Sequence, residues 1–130
     1  MWESLTEYKW LYRGVPEESP EKWDVEANGE VYPQRPDRTG EMWRATHQAG
    51  DTQTAYTSWS TDRDIVQAAG ESSRDEAGLG CGVIIFKVRI TKWLRHRIYP
   101  GREDEEEYLI EGTVEGVMAS SDASEEEDDD

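Results

Sequence analysis

A single cysteine, Cys81, rules out a disulfide within the chain and any multi-cysteine zinc site. It stands directly before the apolar run Val83-Ile84-Ile85-Phe86, which marks it as a buried structural thiol. Histidine is nearly as scarce: His47 and His96 make no recognisable ligand set, so no metal is expected. Long apolar stretches are missing as well. None approaches the roughly 20 residues needed to span a bilayer. The opening Met-Trp-Glu-Ser-Leu-Thr-Glu has neither the basic nor the apolar region of a signal peptide. These absences predict a soluble chain, cytoplasmic as synthesised, with no membrane partner. Internal repeats are also absent.

Positive charge is the next shortage. Fourteen basic residues face thirty acids, and only four of the fourteen are lysine, giving a net charge of −16. Residues 119–130 hold seven acids and no base, which leaves −9 for residues 1–118. Such composition resembles that of halophile proteins, whose dense surface carboxylates stay hydrated while salt screens their repulsion, the Debye length falling to about 3 Å at 1 M. An ordinary acidic protein with a solubilising tail is the plainer alternative. A nucleic-acid partner is disfavoured, because binding one depends on neutralising phosphates, an argument that high salt weakens by screening.

With 130 residues the chain suits one small domain, so any site must lie in a groove of that domain. Six tryptophans and six tyrosines supply the apolar surface that the low aliphatic content lacks. The pattern predicts a strand over 8–12 that leads into Arg13-Gly14. Ser19-Pro20-Glu21 then gives an N-cap and a first-turn proline, with a helix ending near Asn28-Gly29. Residues 30–41 predict a loop and 42–49 a short helix. A strand follows at 55–58, then a helix over 62–69 capped by Thr61, with Asp64 as its box partner and Gly70 as its stop. After a polar stretch at 71–80, residues 82–90 form the best strand, apolar enough for burial on both faces. Residues 106–111 and 113–117 complete the strands, bent or bulged at Gly112. The order predicts an α+β domain over 1–118 and an acidic disordered tail over 119–130.

Three segments carry candidate chemistry. In Tyr12-Arg13-Gly14-Val15, a guanidinium leaves a strand beside backbone that a ligand can approach, and its planar fork of donors suits phosphate. In Tyr56-Thr57-Ser58-Trp59-Ser60-Thr61, strand alternation puts Tyr56, Ser58 and Ser60 on one side and Thr57 and Trp59 on the other. In Glu105-Glu106-Glu107-Tyr108-Leu109-Ile110-Glu111-Gly112, parity puts Glu105, Glu107 and Glu111 together. Each alone has a bland reading: a solvated arginine, a helix cap with a core tryptophan, and a solvated acidic edge.

Together, with His47-Gln48-Ala49-Gly50-Asp51-Thr52 before the second segment, they resemble the ADP-ribosyltransferase superfamily in its Arg / Ser-Thr-Ser-like / Glu branch. More narrowly they resemble the ADP-ribosyltransferase-like domains of bacterial polymorphic toxins. The likeness runs in order over roughly residues 10–117, but Gln48 and Asp51 replace asparagines usual in the branch. It implies a small fold with a two-sheet β core, flanking short helices and an NAD⁺-binding groove. It further implies a mono-ADP-ribosyltransferase that uses NAD⁺ as co-substrate and modifies a protein, in some relatives an arginine side chain, with an immunity protein as a further partner. The implied roles are Arg13 on a phosphate or adenosine ribose, Gly14 backbone at the nicotinamide carboxamide, and Ser58 fixing the Glu107 rotamer. Glu107 would bind the nicotinamide ribose and stabilise positive charge at C1′. Glu105 resembles the acceptor-activating position. Tyr56 or Trp59 stacks on nicotinamide or belongs to the core, Ser60 lies on the Ser58 face, and His47 either assists NAD⁺ or caps a helix. Arg35, Arg38 and Arg44 are expected to add positive charge for the pyrophosphate. The alternatives are an NAD⁺ glycohydrolase using the same site, or a non-catalytic acidic binding protein such as an antitoxin or nucleic-acid mimic.

Overall fold

The structure, a computed structural model, describes residues 8–120 apart from the side chain of Glu105. It is a mixed α+β arrangement with one main antiparallel sheet and a small second one. The main sheet takes strands β1 (Trp10–Pro16), β3 (Tyr56–Ser60), β4 (Val83–Arg89), β5 (Ile98–Pro100), β6 (Glu107–Glu111) and β8 (Met118–Ser120). Their spatial order is β5-β6-β3-β1-β4-β8. Strands β2 (Glu30–Val31) and β7 (Val114–Glu115) pair separately. The helices are α1 (Pro20–Asn28), α2 (Glu41–Gln48), α3 (Arg63–Glu76) and the single turn α4 (Lys92–Arg95).

Register explains the two faces. Residues directly opposed in an antiparallel pair point to the same side. Leu11↔Val88, Arg13↔Phe86 and Val15↔Ile84 therefore share an inner face, and Tyr12↔Lys87 and Gly14↔Ile85 an outer one. The inner face carries the largest core cluster, in which Leu11, Val15, Phe86, Val88, Trp59 and Ile110 are covered by Val25 of α1 and by Val31 and Val114 of the small sheet. On the outer face, α3 lays Val66 against Trp10, Tyr12 and Ile85.

Helix α1 begins as its sequence dictates: the Ser19 hydroxyl accepts from Glu21 N–H, Pro20 opens the first turn, and Gly29 closes the helix at φ 68°. Elsewhere the expectations need correction. Asp62, not Thr61, caps α3 by accepting from the Asp64 and Ile65 N–H groups. Gly70 does not stop that helix, which runs on to Glu76 through the expected polar stretch. Gly70 instead lets α3 press onto β1 and β4, where an added Cβ would lie 2.5 Å from Val83 Cγ1. The expected loop at 30–41 contains β2, and residues 92–100 hold a helical turn and a strand where none was expected. Strand β8 runs to Ser120, two residues into the expected tail, pairing Ser120 with Ile85. Residues 121–130, the rest of that tail, lie outside the described residues. Cys81 is half-buried rather than buried. Among the described residues no helix is long and apolar enough to cross a membrane.

Candidate active site

Strand β1 pairs with β4 over seven residues but meets β3 only at Tyr12↔Ser60. Beyond that pair the two strands part, and a cleft of about 560 Å³ opens between them. Its walls are Arg13–Pro16 of β1, the start of α1 at Ser19–Glu21, and Ser58–Ser60 of β3. The α3 residues Ile65, Val66, Ala69 and Ser73, together with Ala77 and Leu79, form an apolar side, and Glu107 of β6 closes the other end.

Arg13 lies on β1 beyond its single pairing with β3, at the cleft. Its Nη1 donates to the Ser58 backbone oxygen at 3.0 Å, bridging the strands that hydrogen bonding has left apart. Nε and Nη2 donate to the two oxygens of Glu21, at 2.6 and 3.0 Å, a bidentate ion pair. Burial works against the Arg13 charge, but the adjacent Glu21 carboxylate overcomes it, so the pKa rises above its ordinary value. Gly14 has a packing reason to be glycine. A Cβ there would sit 2.0 Å from the Val66 carbonyl oxygen, because α3 crosses β1 at that point.

Ser58 carries its hydroxyl toward α2 rather than toward Glu107. Its Oγ is 2.9 Å from His47 Nε2, and His47 Nδ1 is 2.8 Å from Thr54 Oγ1. Thr54 Oγ1 also accepts from the Tyr56 N–H. His47 is buried at 6% exposure, so it is neither a solvated cap nor a residue of the open cleft. Burial, aided by the charge of Arg13, pushes its pKa below 6.5 despite Glu107 and Asp51 acting the other way. The ring is thus neutral at pH 7 and needs one donor and one acceptor, a need that the hydroxyls of Thr54 and Ser58 meet.

Glu107 is positioned by the turn before it. Pro100 ends β5, Gly101 N–H donates to the Glu107 carbonyl, and Arg102 N–H donates to Glu107 Oε1 at 2.9 Å. A Cβ on Gly101 would fall 2.6 Å from that Oε1, so a larger residue there would displace the carboxylate from this position. Glu106, at φ 48°, takes the left-handed conformation that turns the chain into β6. The expected Ser58–Glu107 hydrogen bond is therefore replaced by two separate anchors: His47 holds Ser58, and the Arg102 backbone holds Glu107. The register nonetheless sets Ser60 directly opposite Glu107 and Ser58 opposite Leu109, all on the outer face.

The remaining candidates divide clearly. The Trp59 ring is in the inner core at 1% exposure and donates from Nε1 to Thr57 Oγ1, leaving no face for a ligand to stack on. Tyr56 is equally buried, edge-on to Tyr99, with its hydroxyl between Gly40 N–H, Arg44 and Glu111. Ser60 Oγ accepts from the Asp62 N–H where β3 passes into α3. Glu105 lies in the 3₁₀ turn Glu103–Glu105, and its side chain is outside the described residues. The expected helpers of Arg13 are elsewhere. Arg38 sits over the Trp43 ring, Arg44 over Tyr99, and Arg35 pairs with Asp37.

Among the described residues the cleft consequently has one cationic side chain, Arg13, against Glu18, Glu21 and Glu107. Its volume lies within the range of about 300–1,000 Å³ usual for small-ligand and cofactor sites, and the α3 wall suits a flat ring. Size and apolar lining fit a dinucleotide; charge is where the fit is poorest. Sequence reasoning passed over Glu21 and Thr54. Glu21 was visible only as a first-turn acid of α1, and Thr54 carried no signal because its role depends on His47 folding back over β3. Among the described residues no group of three or more potential metal-ligating side chains occurs. No family model matches the chain, and neither does any curated protein.

Proposed function

We propose that this chain is an NAD⁺-dependent mono-ADP-ribosyltransferase with an ADP-ribosyltransferase-like fold and toxin-like character, acting on a protein acceptor. One observation carries the reading. Arg13, Ser58 and Glu107, from three strands and in the order that the resemblance requires, meet around a single cleft where two of those strands part.

The residues divide the work. Arg13 engages the pyrophosphate through the donors that Ser58 and Glu21 leave over. The α3 wall receives apolar ring surface and excludes water. Glu107, held by the Arg102 N–H, places negative charge beside C1′ as the bond to nicotinamide breaks. Such preorganised electrostatic stabilisation is often worth about 3–4 kcal/mol, and the logic parallels glycoside hydrolysis. The leaving nicotinamide takes the bonding electron pair. An acceptor nucleophile then forms the new bond to C1′, and its proton passes to a base, for which Glu105 is the candidate.

Incubation with label on the ADP-ribose part of NAD⁺ and a cell extract, at low and at multimolar salt, tests this. Label on a macromolecule is the expected result. Free labelled ADP-ribose alone would turn the reading to an NAD⁺ glycohydrolase. Neither binding nor cleavage at either salt would leave the acidic binding protein in its place.

A further inference from the structure

We infer that Glu21 sets the anion selectivity of the cleft by competing with the ligand for Arg13, so that a dinucleotide bearing only its pyrophosphate is admitted and one bearing a further phosphate is excluded. The inference rests on the NAD⁺ reading for the identity of the ligand, but its physical basis stands apart from it.

Three observations lead here. First, Glu21 takes both oxygens to the Nε and Nη2 side of the guanidinium, the edge that would otherwise clasp a phosphate bidentately. With Nη1 on the Ser58 oxygen, three of the five donors are engaged. Second, Glu21 is not a wandering surface acid. The Ser19 cap and Pro20 fix it in the first turn of α1, where the helix N-terminus also favours its charge. Third, both partners line the cleft at low exposure, 24% for Arg13 and 19% for Glu21, so solvent screens them less than a surface pair. An incoming phosphate must share Arg13 with a carboxylate that stays in place. Glu18 and Glu107 add to the repulsion. A phosphate group beyond the pyrophosphate finds no further cation among the described residues of the lining.

The test measures binding of inorganic pyrophosphate, NAD⁺ and NADP⁺ to the wild-type chain, Glu21→Gln and Glu18→Gln, at low salt and at about 2 M. Wild type is expected to prefer NAD⁺ over NADP⁺ by roughly tenfold or more at low salt, and to bind all three better as salt rises. Glu21→Gln should raise pyrophosphate affinity by about tenfold and narrow the NAD⁺/NADP⁺ ratio. Glu18→Gln, which loses a charge without touching Arg13, should move both readings the same way but less. Unchanged or weaker pyrophosphate binding by Glu21→Gln overturns the inference, as does an equal gain from Glu18→Gln. Should Glu21→Gln not fold, the wild-type salt series decides: affinity that falls with salt sinks the idea. Pyrophosphate behaving as expected while no dinucleotide is bound or cleaved would overturn the NAD⁺ reading and keep the competition. Cleavage of NAD⁺ with no response to Glu21→Gln would do the reverse.

Discussion

Strand β3 has two flanks, and they differ in kind. Toward β6 it is paired in unbroken register from Tyr56↔Glu111 to Ser60↔Glu107; toward β1 only Tyr12↔Ser60 is joined. On the closed flank, the inner-face side chains serve packing: Trp59 lies beside Tyr108 and Thr57 beside Ile110. On the open flank the sheet gives up hydrogen bonds, and Arg13 spans part of the gap with its contact to the Ser58 oxygen. The difference teaches where function can reside in a chain this small. A candidate residue gains access to ligand by lying at the parting of the strands, not by its type.

That contrast can be broken by substitution in the core and at the cleft. Trp59→Ala should have the largest effect, costing about 3–5 kcal/mol of folding stability, as large-to-small changes of buried aromatics do. Denaturant melts would measure it. The milder Trp59→Phe should lower stability while leaving NAD⁺ turnover per folded molecule intact; a turnover loss exceeding the stability loss would mean that the ring serves the ligand after all. At the end of β6 that lines the cleft, Glu107→Gln should do the opposite. The amide oxygen can still accept from Arg102 N–H, so melts should barely move, while NAD⁺ turnover falls by about 10²–10³-fold. Full turnover in that variant would remove Glu107 from the mechanism.

The same contrast explains what the sequence could reveal. Helix α1 was legible because cap, proline and glycine act locally, within a turn of the residues they govern. The end of α3 was not, because Gly70 and the polar residues after it read as a stop. Tertiary contact with Val83 and β1 outweighed that local preference. Parity correctly separated Trp59 from Ser58 and Ser60, since alternation is a property of the strand itself. It could not show which alternate residue would be exposed. Tyr56 shares the Ser58 side yet is sealed by Arg44, Tyr99 and Glu111, which lie far away in sequence. Arg13 was recognised through its order with the other segments, whereas its Glu21 partner required knowing how α1 folds back on β1.

The smallest expected effect lies where the two flanks touch. His47 reaches β3 from α2 and holds the Ser58 hydroxyl at the edge of the cleft, with Thr54 behind it. Burial lowers its folded-state pKa below the unfolded value of about 6.5, so the unfolded chain binds the extra proton first as pH falls. Stability from this group is therefore complete above pH about 6.5 and is lost on acidification toward the folded pKa. The wild-type melting temperature should drop between pH 7 and 5 by more than that of His47→Gln. Glutamine keeps a donor and an acceptor near the two hydroxyls but does not titrate. Carboxylates elsewhere contribute equally to both proteins, so the difference isolates the imidazole. Parallel pH profiles would show that folding does not lower the His47 pKa, and would overturn the neutral ring buried between Thr54 and Ser58.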